Sequence, residues 1–111
     1  MSIASKLLDG ICKLEEATSY SVPVKKALTQ VEAFCQKESD NPNTWNVGNR
    51  TFFFEWPIYG ETEDGSVEGI VYERIGSTSK TIGQYLISGE GKIIRFPFLP
   101  KDVINEVNGE I

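Results

Sequence analysis

Apolar and polar positions alternate with two different periods along this chain, and the change falls near residue 44. Before it the period is helical. Ile3, Leu7, Ile11 and Leu14 recur every three or four residues, with Leu8 widening the stripe, and Gly10 marks a place for close helix contact. Ser21 is placed to cap a second helix with Pro23 in its first turn. Val24, Ala27, Leu28, Val31, Phe34 and Cys35 then form its apolar stripe, and Ser39-Asp40-Asn41-Pro42-Asn43 stops it. A short link at Thr18–Tyr20 makes the two helices an antiparallel hairpin.

After residue 48 the period becomes two. Thr51–Ile58, Val67–Ile75, Lys80–Ser88 and Lys92–Phe98 read as strands. They are separated by Glu61-Thr62-Glu63-Asp64-Gly65-Ser66, Gly76-Ser77-Thr78-Ser79 and Gly89-Glu90-Gly91. Pro97 suits an edge strand. Pro100 opens a short last helix that Asn108-Gly109 ends. The predicted fold class is therefore α+β: an N-terminal antiparallel helical hairpin packed on a four-stranded antiparallel β-meander, with a short C-terminal helix. The predicted layout is a single domain over 1–111, with the hairpin at 1–40, a linker at 41–48, the meander at 49–99 and the helix at 100–108.

Pairing these strands by simple hairpin geometry opposes 59 with 67, 75 with 80 and 88 with 92. One face then carries Phe52, Phe54, Trp56, Ile58, Ile70, Tyr72, Tyr85, Ile87 and Ile93, with Arg74 and Arg95 among them. The other carries Phe53, Val67, Val71, Ile82, Leu86, Ile94, Phe96 and Phe98, with Glu55, Glu73 and Gln84. In this register Gly83 opposes Tyr72, whose ring would cover it. A sheet covered on one side alternates apolar with polar, and this one has two apolar faces. The helices suit the aliphatic face, which leaves the aromatic one. It is buried against a second copy, covered within the chain, or open to a ligand or another protein. Phe52, Phe54, Trp56, Tyr72, Arg74, Tyr85 and Arg95 are its candidate binding residues, because Tyr, Trp and Arg carry much of the energy of protein interfaces.

Composition narrows the function classes. The chain has 111 residues, with 11 Lys+Arg against 16 Asp+Glu, no histidine and a net charge of -5. Ten of its twelve aromatic residues follow residue 44. The acidic balance argues against nucleic-acid binding, which needs surplus Lys and Arg, and the RNA-recognition signature of aromatic sheets is absent. Without histidine the usual general base, triad and zinc sites are missing, and no cofactor is expected. Gly89-Glu90-Gly91-Lys92 and Ser77-Thr78-Ser79-Lys80 match fragments of a phosphate loop and an S-x-x-K motif by letter, but neither opens a helix. Glu61, Glu63 and Asp64 read as a solvated acidic turn rather than a calcium loop. Glu55 and Glu73 fall diagonally on neighbouring strands at roughly the separation of a glycosidase pair, though the chain leaves little room for a sugar cleft.

Cys12 and Cys35 lie too far apart in the expected hairpin for a disulfide, since the residue facing Cys12 would be near 28. Free thiols suit a reducing compartment. No signal peptide, spanning segment or lipidation motif is visible, so the expected location is cytoplasmic, away from the membrane. The function expected from the sequence is a non-enzymatic protein-interaction module, homodimeric through the aromatic sheet face. The alternative is a small-molecule binder in which Trp56, Tyr72, Tyr85 and Arg95 frame a pocket for an apolar or anionic ligand.

Overall fold

The computed structural model describes residues 20–57 and 65–109. The first expected helix with Cys12, and most of the acidic turn before Val67, lie outside the described residues. The described elements run α1 (Val22–Ser39), β1 (Thr44–Val47), β2 (Arg50–Phe54), β3 (Val67–Ile75), β4 (Thr78–Ile87), β5 (Ile93–Arg95) and α2 (Lys101–Asn108). The strands form one antiparallel sheet in chain order.

Helix α1 begins and ends where its chemistry directs. The Ser21 hydroxyl accepts from the Val24 amide at 3.3 Å, Pro23 sits in the first turn, and Asp40 closes the helix at φ 66°. The Ser39 hydroxyl donates to the Thr44 carbonyl at 2.6 Å, tying the helix end to β1. Val24, Ala27, Leu28, Val31 and Cys35 are buried on one side, spaced as one helical stripe. Phe34 departs from that stripe and is only half-buried.

Two features of the expected fold require correction. Among the described residues one helix, not a helical hairpin, precedes the sheet. The sheet also has five strands rather than four, because the expected 41–48 linker contains β1. Val47 pairs with Arg50 across the two-residue turn Gly48-Asn49, with Gly48 at φ 63°. A glycine at the first turn position matches the twist that two-residue hairpins require. Trp45 on β1 is fully buried and stacks on Phe52 at 5.7 Å.

The expected register also slips. Phe53 pairs with Tyr72, and Phe52 with Glu73, one residue away from simple hairpin geometry. In the β3–β4 pair, Val71 opposes Gly83 whereas Tyr72 opposes Thr81, so Ile82 is an extra residue. In the β4–β5 pair Ile94 is extra in the same way. Each bulge reverses the face of every residue beyond it, so a strict period of two does not survive along the sheet. The expected cover of Gly83 by Tyr72 is replaced by Tyr85 over Gly69: a Cβ on Gly69 would lie 2.3 Å from that ring.

The inner face thus gathers Trp45, Phe52, Phe54, Val67, Val71, Tyr85, Ile87 and Ile93 beneath α1, all buried. Phe96 joins them, stacked on Tyr85 at 4.6 Å. Helix α2 runs beside α1 and β5, and the Asn108 side chain accepts from the Ile93 amide at 2.8 Å and donates to the Ile93 carbonyl at 3.1 Å. Among the described residues no helix is long and apolar enough to cross a membrane.

Candidate functional site: the outer face of the sheet

The seven candidate binding residues do not share a face. Phe52, Phe54 and Tyr85 are fully buried in the inner core. The Tyr85 hydroxyl donates to the Glu55 carbonyl at 2.7 Å, and burial raises its pKa well above the ordinary value. Trp56 also turns inward, half-buried, and its indole donates to the Glu32 carboxylate at 2.7 Å. Tyr72, Arg74 and Arg95 lie on the outer face. Trp56, Tyr72, Tyr85 and Arg95 therefore do not frame one pocket.

The outer face is built from four rows across the strands. Asn46, Thr51, Arg74 and Ser79 form a polar row at one end. Thr44, Phe53, Tyr72 and Thr81 form the next. The Glu55 amide bonds to the Ile70 carbonyl at 2.9 Å and continues the ladder, so Glu55, Ile70 and Gln84 make a third row. Glu68, Leu86 and Arg95 close the other end.

Phe53 and Tyr72 are direct cross-strand partners, and their rings stack at 5.0 Å and 20°. Such pairs contribute about 0.2–1 kcal/mol to a sheet. The Arg74 guanidinium lies 5.2 Å from the Phe53 ring centre. The Tyr72 hydroxyl donates to the Glu55 carboxylate at 2.9 Å, and that bond raises the tyrosine pKa above its ordinary value. Phe53, Ile70, Tyr72 and Leu86 are half-buried while Arg74 and Arg95 are exposed. No described element lies across them. Arg95 reaches Glu68 at 3.7 Å, both side chains about half exposed, a pair worth little in water.

Phe53 and Glu55 belong to this site, although hairpin geometry placed them on the other face. Glu55 and Glu73, the diagonal carboxylate pair, point to opposite faces. Glu73 instead holds Arg50 through two bonds of 2.8 and 2.9 Å, and Arg50 lowers its pKa. Arg50 in turn covers Phe98, which stacks on Phe52 at 4.6 Å.

The buried titratable groups lie on the inner side. Glu32 is 7 % exposed, and burial pushes its pKa up to about 7 against the opposing pull of the Trp56 hydrogen bond. Its position, four residues after Leu28 on the buried side of α1, is the sequence signal that marks it. Burial, reinforced by Glu32 and Glu38, pushes the Cys35 thiol up to about 12, which leaves it unreactive. Tyr20 is pushed up to about 12 by burial and donates to the Pro57 carbonyl. Among the described residues no three Cys, Asp or Glu side chains are grouped to hold a metal.

Comparison with known proteins yields no match among family models, curated proteins or solved structures.

Proposed function

We propose that this protein is a non-enzymatic interaction module that pairs with a second copy of itself through the outer face of its sheet. The observation that carries this reading is the order of side chains along β3. Glu68, Ile70, Tyr72 and Arg74 all face outward, running from acid through apolar and aromatic to base. A two-fold axis between Ile70 and Tyr72 sets Glu68 of one copy against Arg74 of the other, twice, around an apolar centre. Two-fold interfaces are self-complementary in this way. The stacked Phe53 and Tyr72 rings, with Ile70 and Leu86, supply the apolar area, and aromatic and arginine side chains are the usual anchors of such contacts. The residues of the interface are thus Phe53, Glu68, Ile70, Tyr72, Arg74 and Leu86, and Phe52, Phe54 and Tyr85 serve the core instead. A buried free thiol at Cys35 is consistent with a reducing, cytoplasmic setting.

Light scattering on the eluting protein tests this. The pairing gives a mass near 25 kDa, twice the 12.4 kDa chain. Arg74→Glu or Glu68→Arg alone places like charges together twice and returns the mass to that of one chain. Mixing the two variants restores both contacts in a heterodimer. A wild-type mass of one chain throughout the micromolar range, or a mixture that stays monomeric, overturns the proposal.

A further inference from the structure

The inner face of the sheet runs on past its core at the end that holds the β1–β2 and β3–β4 turns. Val47 pairs with Arg50 there, and Thr51 pairs with Arg74, so the same register sets Arg50 beside Ile75. The next row inward holds Phe52, Glu73 and Lys80. Three of the five large apolar residues that stand exposed among the described residues gather at this end: Val47, Ile75 and Phe98. Phe98 reaches it from the turn Phe96–Leu99, which is closed by the Leu99 amide on the Phe96 carbonyl at 3.1 Å. Pro97 comes second in that turn and Phe98 third, at φ 64°. Glycine ordinarily takes such a position. Here a phenylalanine holds it, with its ring stacked on Phe52 and 44 % of the residue exposed.

Arg50 is fixed among these rings. Its Nε and Nη2 donate to the two Glu73 carboxylate oxygens at 2.8 and 2.9 Å. Its guanidinium lies 4.7 Å from the Phe98 ring centre and 5.1 Å from that of Phe52. A guanidinium has five N–H donors, and Glu73 takes two of them along one edge. The edge shared by Nη1 and Nη2 keeps a parallel pair of donors, the fork that matches a second carboxylate. Lys80, the cross-strand partner of Glu73, is exposed and sets a second cation against that one carboxylate. The patch is therefore positive in a chain whose net charge is -5.

We infer that this patch docks an acidic peptide segment of another protein. A carboxylate of the segment takes the open edge of Arg50, and a neighbouring apolar side chain lies on Phe98, Val47 and Ile75. Glu73 holds the guanidinium in place for that contact. Charge complementarity selects the acidic segment. The acidic balance of the whole chain disfavours a nucleic acid, and a phosphate backbone has no apolar group for the three exposed side chains. The patch lies on the inner face, so the inference does not rest on pairing through the outer one.

Titration of the isotopically labelled protein with a synthetic peptide in which leucine alternates with glutamate tests it. The amide signals of Val47, Ile75 and Phe98 and the Arg50 Nε–H shift together and saturate, while the amides of Ile70 and Tyr72 stay in place. Replacing glutamate by glutamine in the peptide weakens binding about tenfold, the effect of losing one charge-assisted contact. Arg50→Lys keeps the charge without the fork and weakens binding as well. Lys80→Glu weakens it through charge alone. Both changes fall at exposed positions and leave the core signals in place. An unshifted patch overturns the inference, as does equal binding of the glutamine peptide or an Arg50→Lys variant that binds like the parent. An equal response to inorganic phosphate or to a single-stranded oligonucleotide marks a general anion site and overturns it too. Movement of the same signals with protein concentration alone marks a contact between copies and overturns it equally.

Discussion

Phe53 and Phe54 are neighbours in the chain and live in different solvents. Phe54 is fully buried, with Trp56, Tyr85 and Phe96 each meeting its ring edge-on at 5.3 to 5.8 Å. Phe53 stacks on Tyr72 and shares its remaining surface with Arg74. The two faces of the sheet hold similar side chains. They differ in where their charged ends lie, for polar tips bond within the fold on both, Tyr72 to Glu55 on the outer one. On the inner face these tips bond to groups of the fold itself: Trp45 to the Phe98 carbonyl at 3.0 Å, Tyr85 to Glu55 and Trp56 to Glu32. On the outer face the charged ends remain in reach of another molecule. Interlocked rings with internal partners form a core, and a stacked pair ringed by charges forms a surface suited to contact.

Truncation sharpens this contrast most. Phe54→Ala is expected to lower folding stability by about 3–5 kcal/mol, a large part of the total for a domain of this size, read from chemical denaturation. The same change at Phe53 is the opposite pole and comes last below.

Glu32 sets the next effect. Its folded-state pKa, about 7 against an ordinary 4.5, means that the folded protein holds a proton the unfolded chain has released between those values. Stability is therefore full in acid, falls as pH rises from 4.5 toward 7, and stays low above. The span is about 3 kcal/mol at most. Glu32→Gln keeps an oxygen acceptor for Trp56 and removes the charge. The variant melts higher than the parent at pH 8 and loses this part of the pH dependence, as thermal unfolding at pH 5 and pH 8 will show.

Gly69→Ala strikes the inner face from the backbone side. The new methyl meets a Tyr85 ring that is stacked on Phe96 and bonded at its hydroxyl, so it has no free direction in which to retreat. We expect a loss of about 1–3 kcal/mol in denaturant titrations. Phe53→Ala closes the series, lowering the stability of the single chain by less than about 1 kcal/mol. On the proposed pairing, its main effect is a shift of the solution mass toward that of one chain.

Local chemistry made several elements legible in the sequence. Ser21, Pro23 and the Ser39-Asp40 stop mark α1, the turn expected over Gly76–Ser79 separates β3 from β4 although Thr78 and Ser79 already belong to β4, and Pro100 with Gly109 brackets α2. The first strand was within reach, since Gly48-Asn49 is a two-residue hairpin signal flanked by alternating residues. The assignment of faces was not legible, for a physical reason. Phe52-Phe53-Phe54 offers an aromatic ring to either side, so hydrophobicity alone does not decide which way β2 faces. The decision rests on pairing, and pairing here contains a one-residue slip and two bulges, at Ile82 and Ile94. Tyr72, Arg74 and Arg95 share the outer face. Their association with Phe52, Phe54 and Tyr85 came from the slipped register.

The Asn108 amide on Ile93 has a consequence for assembly. The side-chain amide sets an N–H beside its carbonyl oxygen, matching the C=O and N–H that a single strand residue turns to one side, and here both bond to Ile93 of the edge strand. The last helix thereby plugs the rim of the sheet at the point where a foreign strand would begin to zip on. Growth by strand addition is closed off at the β5 rim, which leaves β1 as the sheet's other edge.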